Sequence, residues 1–350
     1  TVRLTDDVGR HQFPDATVID LDGAFLAPAF VDAHVHLTAT GLALTGLDLR
    51  PATSLRHCLD LLAEHARRHP EGPIWAHGWD DSEWPEQRPP HTDDVDRVVG
   101  GRPAYLARVD VHSAVASTGL RRSVPDLGQR TGFDPQRPLT ADAHHAVRAA
   151  ARAGLTAEQR HAARTAALRH AAAHGVVAVH ECAGPQIGGL DDWQALRDLD
   201  LGVEIIGYWG EPVRTAAEAT ELTAATGARG LAGDLFVDGA LGSRTAWLSR
   251  PYHDAPDTCG NRHLDPDAVF AHLRACTEAG VTAGFHVIGD AAVTAVVDAL
   301  QRVVDEFGAP SVARCGHRLE HLEMIDAEQA ERLGSWGVVA SVQPNFDALW

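Results

Sequence analysis

From about residue 175 onward, six short apolar runs alternate with segments of helical period, and this alternation limits the fold more than any other feature. The runs are GVVAVHECA (175–183), LGVEIIGYWG (201–210), DLFVDGAL (234–241), VTAGFHVIGD (281–290), RCGHRLEHLEM (314–324) and GVVASVQPNF (337–346). Their length and β-branched content mark buried strands. The segments between them carry helix punctuation. Asp265 followed by Pro266 opens a helix that Gly280 ends. Asp290 begins a helix with an apolar stripe of Val293, Val296, Val297, Leu300, Val303 and Val304, closed by Gly308. Asp326 with Gln329 three residues on forms a capping box. Buried strands alternating with helices imply a parallel sheet with helices on its faces. Adding FVDAHVHL (30–37) gives seven such strands. The expected fold is therefore a TIM-like (β/α)8 barrel, seven of whose strands are visible in this chain.

Two stretches fall outside that rhythm. Residues 1–28, with ATVIDLDGAFLAP (16–28), read as short strands and turns of a small β domain. The segment from about 74 to 140 is rich in Pro, Trp and Asp and holds two extra strand-like runs, IWAHGWDD and PAYLARVD. It reads as an insertion into the barrel of residues 29–350, lying over the end of the barrel that carries the site.

Composition removes some functions. The net charge of −18 argues against a nucleic-acid backbone or an anionic membrane as partner, leaving a small molecule. Apolar segments are too short to span a membrane. The five cysteines are dispersed without a C-x-x-C pair, which suggests reduced thiols and a cytoplasmic address. All 30 basic residues are arginine, so no chemistry within these residues uses a lysine.

In such a barrel the chemistry sits at the C-terminal ends of the strands. The first strand ends with His34 and His36, which share one face because side chains alternate with period two. With 21 histidines in 350 residues, roughly one His-x-His pair arises by chance. The pair gains meaning from His286 and His321, which end two further strands. Three strands thus deliver imidazole to one rim, a donor set suited to Zn²⁺ or a similar transition metal.

Five motifs, PAFVDAHVHL, DLFVDGALGSRTAWL, FHVIGD, HRLEH and VVASVQPNF, resemble the amidohydrolase superfamily in order and spacing. They are most similar to its amidohydrolase-3 branch, which includes N-substituted formamide deformylases. GWDDSEWPE and RVDVHSAVAST in the insertion extend the likeness over nearly the whole chain. The resemblance implies a metal-carrying barrel with a small β-sandwich, of which residues 1–28 form part. By this match His34, His36, His286 and His321 are the metal ligands. Many relatives carry a carbamylated lysine on the fourth strand. The matching position here is Asp234, which excludes a carbamate and makes Asp234 a further candidate ligand, with one ion favoured over two. The resemblance also implies a general-base aspartate on an eighth strand, expected beyond Trp350, and assemblies such as a homodimer.

The expected activity is hydrolysis of a non-peptide C–N bond, amide or formamide in type, by metal-activated water. A deaminase of an amidine-like or heterocyclic substrate is the enzymatic alternative, and a non-catalytic barrel of the same fold is the other. Further candidates are His112, Asp238 and Arg244 for substrate, the last as a bidentate carboxylate partner. Asp32 and His317 are candidates for orienting ligands. Asp234, read as the start of its strand, stands at the wrong end for a metal on that reading alone. Cys182 and Glu181 read first as buried structural groups, and Asp290 as a helix cap. His144, His145 and the helix of 157–174 read as solvated faces.

Overall fold

The computed structural model describes residues 19–346 together with Asp15 and Thr17. Eleven strands lie among them. They are β1 (Phe30–Val35), β2 (Leu47–Asp48), β3 (Ile74–Trp79), β4 (Ala104–Arg108), β5 (Ala114–Ala116), β6 (Val176–Ala183), β7 (Glu204–Trp209), β8 (Gly230–Leu231), β9 (Thr282–Val287), β10 (Arg318–His321) and β11 (Val339–Ser341). Seven of them form one parallel sheet in the order β1-β6-β7-β8-β9-β10-β11. Each connection from β6 onward crosses over through a helix, as the alternating pattern requires. The sheet curls so far that Arg318 on β10 donates to the carbonyl of Ala33 on β1, 2.7 Å away. This is the nearly closed seven-stranded barrel that the apolar runs imply.

Two helix caps fall where the sequence puts them. Asp265 caps Pro266–Ala279, which ends at Gly280 with φ 68°, and Asp326 and Gln329 form a capping box on Ala327–Ser335. Helix Asp290–Phe307 buries Val293, Val296, Val297, Leu300 and Val303 against the sheet. The main core lies between the outward faces of the strands, with Val179, Leu231, Phe285 and Leu319, and the surrounding helices.

A second sheet, in the order β2-β3-β4-β5, has its own core around Leu49, Leu62, Trp79 and Leu106. It starts at Leu47 and includes helix Leu55–Arg68, so the chain leaves the barrel well before residue 74. Leu139 bridges Ala114 of that sheet, and Ala143, Val147 and Ala151 of helix Ala141–Ala153 pack with Tyr105 and Ala107, so this second layer continues past residue 140. Most of the expected β-strand segment at 1–28 lies outside the described residues, and the described stretch 19–28 carries no strand. Among the described residues no helix is long and apolar enough to cross a membrane.

Candidate metal centre

The fourth barrel strand decides the centre. The apolar run beginning at Asp234 suggests a strand that starts there, but the ladder begins earlier, at Gly230–Leu231. Gly233 then breaks it with φ 80°, and a Cβ at that position would lie 2.9 Å from the Cβ of Cys182. Pairing resumes as a single parallel bridge between Phe236 and His286. Asp234 therefore sits beyond the strand proper, at the C-terminal rim, and the wrong-end objection falls.

At that rim Asp234, 7% exposed, faces four imidazoles. His36 Nε2 lies 2.9 Å from Asp234 Oδ2. His34 Nε2, His286 Nδ1 and His321 Nε2 lie 3.6, 3.7 and 3.8 Å from Asp234 Oδ1. Those three distances are longer than ordinary hydrogen bonds. They suit ligands around a shared cation: atoms about 2.0–2.1 Å from a tetrahedral zinc lie about 3.3 Å apart. Asp234 Oδ1 and His286 Nδ1 are buried with no hydrogen-bond partner among the described residues. Two orphaned buried atoms aimed at one point fit ligation of a cation better than a finished hydrogen-bond network. The residues form two triplets sharing Asp234, one with His34 and His36, the other with His286 and His321.

Outer partners prepare three rings for ligation. His34 donates from Nδ1 to Glu320 Oε2 (2.9 Å), His286 from Nε2 to the Gly239 carbonyl (3.1 Å), and His321 from Nδ1 to Gln343 Oε1 (2.8 Å). In each case the other nitrogen is left bare and turned towards Asp234. Burial alone would raise the Asp234 carboxyl, but His36 and His34 hold it well below the usual range. Glu320 is likewise raised by burial and drawn down, to about 2, by His34 and Arg318. Arg318 binds both Glu320 oxygens, contacts His180 Nδ1 at 2.9 Å and lies over the Tyr208 ring.

Strand alternation alone does not account for His321. Arg318 and Glu320 point into the barrel, which would send His321 to the opposite side. The chain instead turns through φ 70° at His321 and 52° at Leu322, and the ring comes within 4.7 Å of His34. Two consecutive non-glycine residues in the left-handed region are costly, and such strain gathers at functional sites.

The remaining candidates separate. His112 stands beside the centre, its ring 5.1 Å from His286, and burial with that neighbour holds it well below the usual imidazole range. Cys182 Sγ lies 3.4 Å from His34 Nδ1, but burial raises its thiol well above normal. Because His34 Nδ1 and Glu320 are already engaged with each other and with Arg318, that trio reads as a hydrogen-bond network. Glu181 points the other way and accepts the Leu37 amide at 2.7 Å; burial raises its carboxyl to about 8.

Asp238 is fully buried, and both its oxygens are taken by the amides of Trp247, Ile288 and Gly289. It shapes two rim loops rather than presenting an oxygen to a ligand. Arg244, read as a carboxylate clamp, pairs with the exposed Asp254 instead. Asp32 is exposed and accepts the backbone amide of His34, with no hydrogen bond to a ring among the described residues. His317 bonds Thr277 and the Ala283 amide below the rim and touches none of the four rings. Asp290 is the first residue of its helix rather than its N-cap, and its carboxylate accepts from Ser249. His144 is buried against the Tyr105 hydroxyl at 2.8 Å rather than solvated, and Arg164 is buried within the helix read as a solvated face. Sequence reasoning passed over Arg318, Glu320, Gln343 and the Gly239 carbonyl. It also passed over Glu323, whose carboxyl burial raises beside His321 and His286.

The family model described as the amidohydrolase family, of the amidohydrolase-3 branch, matches residues 17–350. The chain belongs to this family. Amidohydrolase YtcJ of Bacillus subtilis is 27% identical over 97% of the chain and 66% of its own length. The N-substituted formamide deformylase of Arthrobacter pascens is 25% identical over 96% of the chain and 66% of its own length. The chain thus spans about two thirds or less of these curated amidohydrolase relatives. Among solved structures, an uncharacterized metal-dependent hydrolase from Pyrococcus furiosus superposes with TM-score 0.66 at 27% identity, covering 98% of this chain and 70% of that one. Another, from Pyrococcus horikoshii, gives 0.67 at 25% identity, covering 97% and 67%.

Proposed function

We propose that this amidohydrolase is a metal-dependent hydrolase that cleaves a non-peptide C–N bond, amide or formamide in type, in a small molecule. The observation that carries the reading is the convergence of His34, His36, His286 and His321 on Asp234, with Asp234 Oδ1 and His286 Nδ1 left unpartnered. Those five residues would hold a divalent cation, zinc first. When bound, it would supply Lewis-acid chemistry that lowers the pKa of water towards about 7 and polarises a carbonyl. The name of the formamide deformylase relative supports the bond type, and the anionic Asp234 fits a site without a carbamate.

The chain's own groups do the positioning. Glu320, Gly239 and Gln343 fix the tautomers of His34, His286 and His321, so the ligand nitrogens are set before substrate arrives. Arg318 holds Glu320 against His34. His112, kept neutral, and Phe236 wall the centre beside His286. The test is product analysis on the zinc-loaded, full-length native protein with a panel of N-alkylformamides and acylated amines. Release of a carboxylate together with an organic amine supports the reading. Ammonia from an amidine-like carbon would reassign the centre to deamination, and no turnover of any C–N substrate would overturn it.

A further inference from the structure

A separate cavity of about 450 Å³ opens between helices Ala141–Ala153 and Ala157–Ala173 and the loop that follows β6. Thr38, two residues after His36, is in its wall, and so are Pro185 to Gly188. The cavity is therefore at the same end of the barrel as the four imidazoles. Three guanidinium groups, Arg152, Arg160 and Arg164, line it, against the chain's overall charge of −18.

Two of the three are committed. Arg164 pairs with Asp192 and donates to the Thr38 hydroxyl at 3.2 Å. Arg160 donates to the backbone carbonyls of Arg152 and Leu155. Arg152 is different: its guanidinium makes no hydrogen bond or ion pair among the described residues, and its Nε is buried without a partner. One helical turn away, Arg148 reaches the Gln186 carbonyl at 3.1 Å but also leaves a buried, unpartnered Nε. Burial first, and the charge of Arg148 second, push Arg152 down to about 10. Asp192 and Glu181 offset part of that push, but a cation left without a direct partner beside another cation still costs the fold stability.

We propose that this cavity binds the carboxylate or phosphate group of a small molecule, with Arg152 as its main partner. The planar guanidinium fork matches either group bidentately. Asp191 and Asp192 in the same wall limit the charge the cavity tolerates, which favours a single anionic group over a polyanion. The cavity's size is that of ordinary small-molecule sites. The group could be the far end of the amide turned over at the metal centre, which rests on the function proposed above, or it could belong to a separate effector.

The test is calorimetric titration of the zinc-loaded chain with inorganic phosphate and with succinate, in wild type, Arg152→Met, Arg152→Lys and the exposed control Arg169→Met. Wild type and Arg169→Met should bind saturably, Arg152→Met at least 10-fold more weakly, and Arg152→Lys in between, all with equal metal content. Without anion, Arg152→Met should melt no lower than wild type, because it removes an unpaired cation; a merely structural arginine would give the opposite. Equal binding in wild type and Arg152→Met, no saturable binding in wild type, or an unliganded Arg152→Met melting well below wild type would overturn the proposal. Competition by phosphate with an acidic amide, with KM raised and kcat held in Arg152→Met, assigns the group to the substrate. Phosphate that changes kcat without competing assigns it to an effector. If no amide is turned over, the hydrolase reading fails while the binding result still decides this one.

Discussion

Arg318 and Glu320 are 4% and 0% exposed, and together they brace the ring of His34 across the inside of the barrel. Replacing Arg318 by methionine keeps most of the volume over Tyr208 but leaves Glu320 as a buried carboxylate with only His34 to answer it. Breaking a buried pair from one side costs about 3–5 kcal/mol. With an unfolding entropy of about 2.1 cal/mol/K per residue, a loss of 4 kcal/mol in a chain of this size lowers Tm by about 5 °C. Glu320→Leu should cost a similar amount by stranding the guanidinium. The double variant Arg318→Met/Glu320→Leu removes both charges together and should cost less than the sum of the singles by at least about 2 kcal/mol. The assay is thermal and urea unfolding of all four proteins in EDTA, so that no metal binding adds to stability. Additivity of the two single effects to within about 0.5 kcal/mol would refute the claim that the pair acts as one unit.

Three further outcomes are expected. Gln343→Leu removes the acceptor that fixes the His321 tautomer and should weaken zinc binding about 10–100-fold, read by competition with a chromogenic chelator, with Tm of the metal-free chain nearly unchanged. Gly233→Ala forces a side chain into a backbone with φ 80° and into Cys182, and should lower both stability and metal retention, measured by melting and metal analysis. His272 and His317 are buried neutral rings whose pKa values burial lowers to about 4. Their folded values lie below the unfolded one, so the stability they confer is present above pH 6.5 and is lost as pH falls towards 4. At pH 5 the loss is about 2 kcal/mol for one such ring, and urea unfolding of His272→Gln should show a shallower fall between pH 7 and pH 5 than wild type.

Much of this molecule was legible in residue order, because strand and helix periods differ and the caps are local. The four histidines could be read because each ends a strand with clear apolar character. Asp234 was misplaced on its strand because the ladder there is only Gly230–Leu231, too short and glycine-rich to register as an apolar run. His321 reaches the centre through a backbone turn that no side-chain pattern announces, while Arg318 and Glu320 were available from alternation along β10. His144 could have been found, since with Val147 and Ala151 it recurs at helical spacing on the buried stripe. The unpaired state of Arg152 depends on how three segments meet, and nothing local encodes it.

The central claim is that the four imidazoles and Asp234 form a cation site. Metal content by mass spectrometry, on protein purified without chelator and compared with Asp234→Asn, tests it most directly. Wild type should hold at least one equivalent of Zn, Fe or Mn, and Asp234→Asn, still folded by circular dichroism, should hold only a small fraction of that. Wild-type protein that holds well under one equivalent, and fails to take up zinc on titration, would contradict the account.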